Sequence, residues 1–274
     1  MTDSLPASFV AINREASLAA EHIAIGATAL GYANYASPAR YSEAFFALSV
    51  GFERSCKLAV AIDSLVSDGR YPTSKELRAY GHRLGDLLAS VDNIALARGF
   101  QSHLPRSPIT TAIVNSLGAF ASNVTRYYNL ELLGSGTTGL NVGDPLATWH
   151  QDVTGAVLDS HYSTERRQRD DAQAALGGRL MGPLTSVHYI SEAGTSIRTV
   201  EDSMRATRQA VAARPWERMY VLQVGRFLGS TLGDLARSAH AQSFDIPYVQ
   251  EHFAIFNQAD RYFRERKTWS TIAR

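Results

Sequence analysis

Ser37-Pro38-Ala39-Arg40-Tyr41-Ser42-Glu43-Ala44-Phe45-Phe46-Ala47-Leu48-Ser49-Val50-Gly51-Phe52-Glu53-Arg54-Ser55-Cys56-Lys57-Leu58-Ala59-Val60-Ala61-Ile62-Asp63-Ser64-Leu65-Val66 is the stretch that decides the fold. Pro38 suits the first helical position, where its missing N–H costs no hydrogen bond, and Ser37 before it is a candidate cap. From there Phe45, Leu48, Phe52, Ala59, Ile62 and Val66 recur at intervals that place them on one face of a helix. The spacing therefore predicts a long helix over 38–67 with a seam that must be covered by other helices.

The same pattern continues on both sides. Leu77, Tyr80, Leu84, Leu87, Val91 and Ile94 form a second seam, and Ile113, Leu117, Phe120 and Val124 a third. Thr73 with Glu76 reads as a capping box, Thr199 with Asp202 as a weaker one, and Ser107-Pro108 and Asp144-Pro145 as further helix starts. The expected helices are 8–33, 38–67, 74–98, 108–130, 145–162, 164–177, 200–212, 216–241 and 247–266. Strand alternation is scarce, and Ser186 to Ile190 is the best short candidate. The fold class is thus all-α: an up-and-down bundle over residues 1–135 with a C-terminal helical extension, 136–274, packed on it. The Gly-, Ser- and Thr-rich stretch from Gly134 to Asp144 divides the two parts.

Composition excludes several classes. The chain has 274 residues, 45% of them apolar and 19% charged, which supports a real core and argues against disorder. A net charge of +1 provides no global field for nucleic acid or membrane, so any such contact must be a local patch. The single cysteine, Cys56, sits in an apolar helical pattern and reads as a small buried side chain. No apolar run has the length of a membrane span and no leader pattern opens the chain, so no membrane contact and a cytoplasmic location are expected.

Several motifs have plain structural readings. Gly134-Ser135-Gly136-Thr137-Thr138-Gly139 matches a dinucleotide fingerprint in letters, but no strand precedes it and a poor helix start follows, so it reads as a linker. His150 and His161 fall on one helix face and Asp152 and Asp159 on the other, which argues against a shared metal site and for histidines at the rim of a core. No metal and no cofactor is expected. Arg166, Arg167 and Arg169, interleaved with Asp170 and Asp171, read as a solvated face, with phosphate contact the sharper alternative. Arg261, Arg264, Arg266 and Lys267, laced with Tyr262, Phe263 and Trp269, suit a terminal helix that closes the core, or a surface that grips nucleic acid.

Three patches in fixed order carry more. Gly51-Phe52-Glu53-Arg54-Ser55-Cys56-Lys57 lies on the first long seam. Gly81-His82-Arg83-Leu84, followed by Leu87-Leu88, opens the second. Arg126-Tyr127-Tyr128 ends the third. Glu53 with Lys57, then His82 with Leu84 and Leu87, then Arg126 with Tyr127, resemble the HEPN superfamily (higher eukaryotes and prokaryotes nucleotide-binding domains) over roughly residues 38–130. Taken singly, each residue also has a structural reading: an ion pair one turn apart, a capping histidine, tyrosines at a bundle end.

That resemblance implies a helical module acting on RNA or nucleotides, commonly as a homodimer, in bacterial toxin–antitoxin, phage-defence or stress systems. Active members are metal-independent ribonucleases that join an Arg and a His, a few residues apart in sequence, across the dimer cleft. The implied catalytic residues are His82 as acid/base and Arg126 or Arg78 as phosphate partner. In this chain the Arg and His with the family spacing are Arg98 and His103, at an expected helix end, whereas Arg78 and His82 are one residue too close. A non-catalytic scaffold or regulatory module that binds another protein is the alternative.

Overall fold

The structure is a computed structural model that describes residues 5–122, 125–135 and 143–271. It is all-α. The helices are α1 (Ala7–Tyr32), α2 (Ala39–Asp68), α3 (Ser74–Ala79), α4 (Leu84–Ala97), α5 (Pro108–Ala121), α6 (Tyr128–Ser135), α7 (Pro145–Trp149), α8 (Gly155–His161), α9 (Thr164–Met181), α10 (Val200–Ala241), α11 (Gln250–Phe253) and α12 (Asp260–Glu265). A π-helical turn, His150–Thr154, joins α7 to α8. Between α9 and α10 a small antiparallel hairpin pairs β1 (Tyr189–Ile190) with β2 (Ser196–Ile197). Among the described residues no helix is long and apolar enough to cross a membrane.

α1 and α2 form the central hairpin. Gly26 meets Leu48, Gly51 meets Ile23, and Arg54 pairs with Glu15, so the contacts run in opposite directions along the two helices. Gly51 permits the approach: a Cβ there would stand 2.9 Å from the Ile23 amide nitrogen and 3.0 Å from the Ala19 carbonyl oxygen. The glycine of the first patch is therefore a packing residue. α4 and α5 cover one side of α2, and α10 runs against α1 and α2 from another. One apolar core results, in which Ile23, Phe52, Leu88, Trp149, Leu222 and Phe256 are all buried. Full burial of each such side chain contributes about 1.5–3 kcal/mol. Cys56 is buried in this core as expected, and burial pushes its thiol up, away from the thiolate form.

The caps are formed largely as the sequence indicates. Thr73 Oγ1 accepts from the Glu76 amide while Glu76 Oε2 accepts from the Thr73 amide. Ser107, Asp144 and Thr199 each accept from the first turn of their helices. Ser37 does not cap α2: Pro38 takes the position before the helix, and the preceding turn is fastened by Asn34 Oδ1, which accepts from the Ala36 amide.

Several helix boundaries differ from expectation. The stretch 74–98 is broken at Gly81, whose φ of +59° is open to glycine but strained for other residues. The break leaves His82 and Arg83 in the link between α3 and α4. The stretch 108–130 ends at Ala121, and Arg126 and Tyr127 lie in a turn before α6. Conversely, Pro215 does not divide 200–241. α10 continues through it, since proline removes only one N–H and burial of Ala210, Ala213, Val221 and Val224 against the bundle holds both sides in line. Beyond it, 247–266 is two short helices joined by a 3₁₀ turn. Residues 136–142 of the Gly-rich stretch lie outside the described residues.

The C-terminal basic stretch closes the core. Phe263 and Trp269 are buried, and the buried Arg218 donates from Nε to the Phe263 carbonyl (2.9 Å) and from Nη2 to the Arg264 carbonyl (2.5 Å). Burial pulls the Arg218 guanidinium down to about 10. The charge run of α9 is more than a solvated face. Asp170 is buried, accepts from Tyr162 Oη, and pairs with Arg208 of α10, while Asp171 pairs with Arg205. These acids clasp α9 to α10.

Candidate functional site

The first and second patches meet. Glu53 Oε1 accepts from Lys57 Nζ at 2.7 Å, one turn along α2. His82 Nδ1 lies 3.1 and 3.0 Å from the two Glu53 oxygens, across 29 positions of sequence. The carboxylate is largely covered, with 16% of its side chain exposed, whereas His82 is 62% exposed. Burial alone would raise the Glu53 carboxyl. Hydrogen bonds from Lys57 and His82, with their charges, outweigh it and hold Glu53 below the ordinary carboxylate range. A carboxylate at Nδ1 favours the tautomer with the proton on that nitrogen, leaving Nε2 with its lone pair. That is the arrangement of an oriented general base.

Arg126 is placed near the same helix face. Its guanidinium carbon stands 5.2 Å from the Phe46 ring centre and 5.5 Å from that of Phe120. Phe46 and Glu53 are seven residues apart on α2, which is two turns, or about 10 Å along the axis. Arg126 and His82 are thus borne on one side of one helix without touching. Tyr127 beside Arg126 is half-exposed. Arg78 is exposed in the last turn of α3, and among the described residues its side chain makes no hydrogen bond to His82 or Glu53. The pair with the family spacing is dispersed: Arg98 Nε donates to Asp63 of α2 and Nη2 to Ser67, while His103 faces Asp92.

A second polar site was missed from the sequence. A cavity of about 300 Å³ lies between α2, the π-helical turn, the hairpin and α10. Into it project Tyr41, Glu192, Arg214 and Glu217. Tyr41 Oη donates to Glu192 Oε1 (3.3 Å), and Thr154 Oγ1 donates to Glu217 Oε1 (2.5 Å). Burial pushes Glu217 up to about 7, with the Thr154 hydrogen bond and the Arg214 charge acting in the opposite sense. Tyr41 is also raised well above its ordinary value, by burial and the neighbouring carboxylates. A signal for Glu217 was present. Ala210, Ala213, Glu217, Val221, Val224 and Leu228 follow the buried register of α10, so a carboxyl stands where an apolar residue is expected.

The two histidines near this cavity separate. His150 lines it, while His161 stacks on Trp216 at 3.7 Å between ring centres and meets Tyr220 Oη at 3.0 Å. His161 is the rim residue that the sequence suggests.

Comparison of the chain with protein-family models, with curated proteins and with solved structures gives no match.

Proposed function

We propose that this chain is a HEPN-like bacterial protein that binds RNA and cleaves it without metal, in the cytoplasm, as part of a defence, toxin–antitoxin or stress system. The observation that carries this reading is the Glu53 carboxylate joined to both Lys57 and His82. Lys57 keeps Glu53 ionised, Glu53 orients His82, and Nε2 of His82 takes a proton from a ribose 2′-hydroxyl or returns one to the leaving oxygen. Arg126 supplies the cation for phosphate, where a guanidinium steadies developing charge.

The separation of Arg126 from His82 along α2 fits a site completed by a second copy. Tyr127, Leu130 and Leu133, all exposed and three residues apart, give that copy an apolar surface beside Arg126. Purified chain incubated with total RNA and a chelator is expected to cleave. His82→Ala is expected to bind without cleaving, and Arg126→Ala to bind less. Equal cleavage by all three proteins, or no RNA binding by the parent, would remove the reading.

A non-catalytic protein-binding scaffold is the second reading. It is favoured by Arg126 itself, which already serves the fold by lying over two aromatic rings. Stable capture of one protein partner by a chain inert toward RNA would select it.

A further inference from the structure

The cavity beside α10 carries hydrogen-bond donors that the fold leaves unmet. Nε and Nη2 of Arg214 are both buried and neither has a hydrogen-bond partner among the described residues. On a guanidinium these two nitrogens share one edge, the edge that takes both oxygens of a carboxylate side by side. Buried donors are rarely left unmet. Two buried carboxyl groups share the lining: Glu192 from the hairpin, and Glu217 about one turn along α10 from Arg214. Glu192 is turned inward at the tip of a hairpin whose other tip residues, Ala193 to Ser196, are exposed. Glu192 accepts from Tyr41, Glu217 accepts from Thr154 with the Trp149 indole alongside, and a carboxylate can accept more. Arg205, the other arginine of the lining, is already held by Asp171 and Glu201.

We propose that this cavity binds a small molecule carrying both a carboxylate and a protonated amine, of the α-amino acid class. The carboxylate sits on the Nε–Nη2 edge of Arg214, and the amine faces Glu192 and Glu217. Charge decides between this ligand and its competitors. A phosphate dianion would satisfy Arg214 but would share the cavity with the carboxyl groups of Glu192 and Asp202. A bare metal cation would satisfy the carboxylates and be repelled by Arg214. A zwitterion meets both signs at once. Size agrees, because the volume lies at the small end of the about 300–1,000 Å³ typical of small-molecule sites. The π-helical turn belongs to the same wall and supplies His150 and Thr154; such turns are frequent at functional sites.

The proposal stands apart from His82 and from any action on RNA. The full chain is titrated calorimetrically with the common α-amino acids one at a time, and with acetate, methylammonium and inorganic phosphate. Saturable binding of at least one amino acid is expected, with the single-function probes far weaker. The matching acid that lacks the amine should bind the parent chain less tightly, and Glu192→Gln should erase that difference. Arg214→Lys keeps the charge but loses the two-pronged edge, and should weaken binding by about tenfold or more. The idea is overturned if no amino acid binds at millimolar concentration, or if phosphate binds as well as the best of them. Undiminished binding by folded Arg214→Lys also overturns it. Should Arg214→Lys fail to fold, the comparison between amino acid and amine-free analogue on the parent chain decides alone.

Discussion

The Arg126 guanidinium lies over Phe46, and Phe46 precedes Glu53 by two turns on the same side of α2, so the cation of the third patch and the imidazole of the second are served by a single helix. The stack on Phe46 and Phe120 separates the two roles of Arg126. Arg126→Met keeps an apolar body over the rings and removes only the charge. Its denaturation midpoint is expected to correspond to a loss of about 1 kcal/mol or less. RNA affinity is expected to fall, with the salt dependence shallower by about one phosphate contact. Chemical denaturation and filter binding at several salt concentrations check both.

Gly51→Ala is expected to loosen the α1–α2 hairpin. The new methyl would press on the Ile23 amide and the Ala19 carbonyl, which are backbone atoms and cannot swing aside. A loss of about 1–3 kcal/mol is expected from such overpacking, read by urea denaturation. An unchanged midpoint would mean that the helices stand farther apart.

Stability should depend on pH through Glu217. Its folded value, pushed up to about 7, exceeds the ordinary 4.5, so the folded protein retains a proton that the unfolded chain releases. Stability from this group is then complete below about 4.5 and declines as pH rises to about 7. The loss is on the order of 3 kcal/mol over that interval. Glu217→Gln should flatten the slope across it. Glu53 acts in the opposite sense: its lowered value means that its contribution is present above the ordinary carboxylate range and is lost in acid.

Arg218→Met should free the C-terminal segment. Two carbonyls, of Phe263 and Arg264, would lose a charged donor inside the core, a cost of about 3 kcal/mol. Limited proteolysis is expected to cut first near α12 in the variant and elsewhere in the parent.

Much of the fold was legible because helix spacing and caps are local signals. The seam of Phe45, Leu48, Phe52, Ala59 and Ile62 gave α2 within a residue at each end, and Thr73 with Glu76 marked the start of α3. The break at Gly81 was less visible, since a glycine in an apolar register is compatible with either outcome. Pro215 misled in the other direction: local preference says stop, and burial of the flanking turns overrides it. Within the site, the meeting of Glu53 and His82 follows from the order of the patches only once α2 and the α3–α4 link are adjacent. The cavity was illegible for a different reason. Tyr41, Glu192 and the α10 pair Arg214 and Glu217 come from three separate parts of the chain and share no motif, and only the misplaced carboxyl in the register of α10 hinted at them.

α10 spans 42 residues, about 63 Å of rod, yet continuous burial begins only near Ala210. Its first turns lie at the edge of the main bundle, clasped to α9 through Asp170, Asp171 and their arginines and tied to the α1–α2 link by Tyr35 Oη on Ser203. Tyr41 of α2 and Glu192 of the hairpin line the same cavity as this outer stretch of α10, so a solute bound there would bridge rod, hairpin and bundle at once.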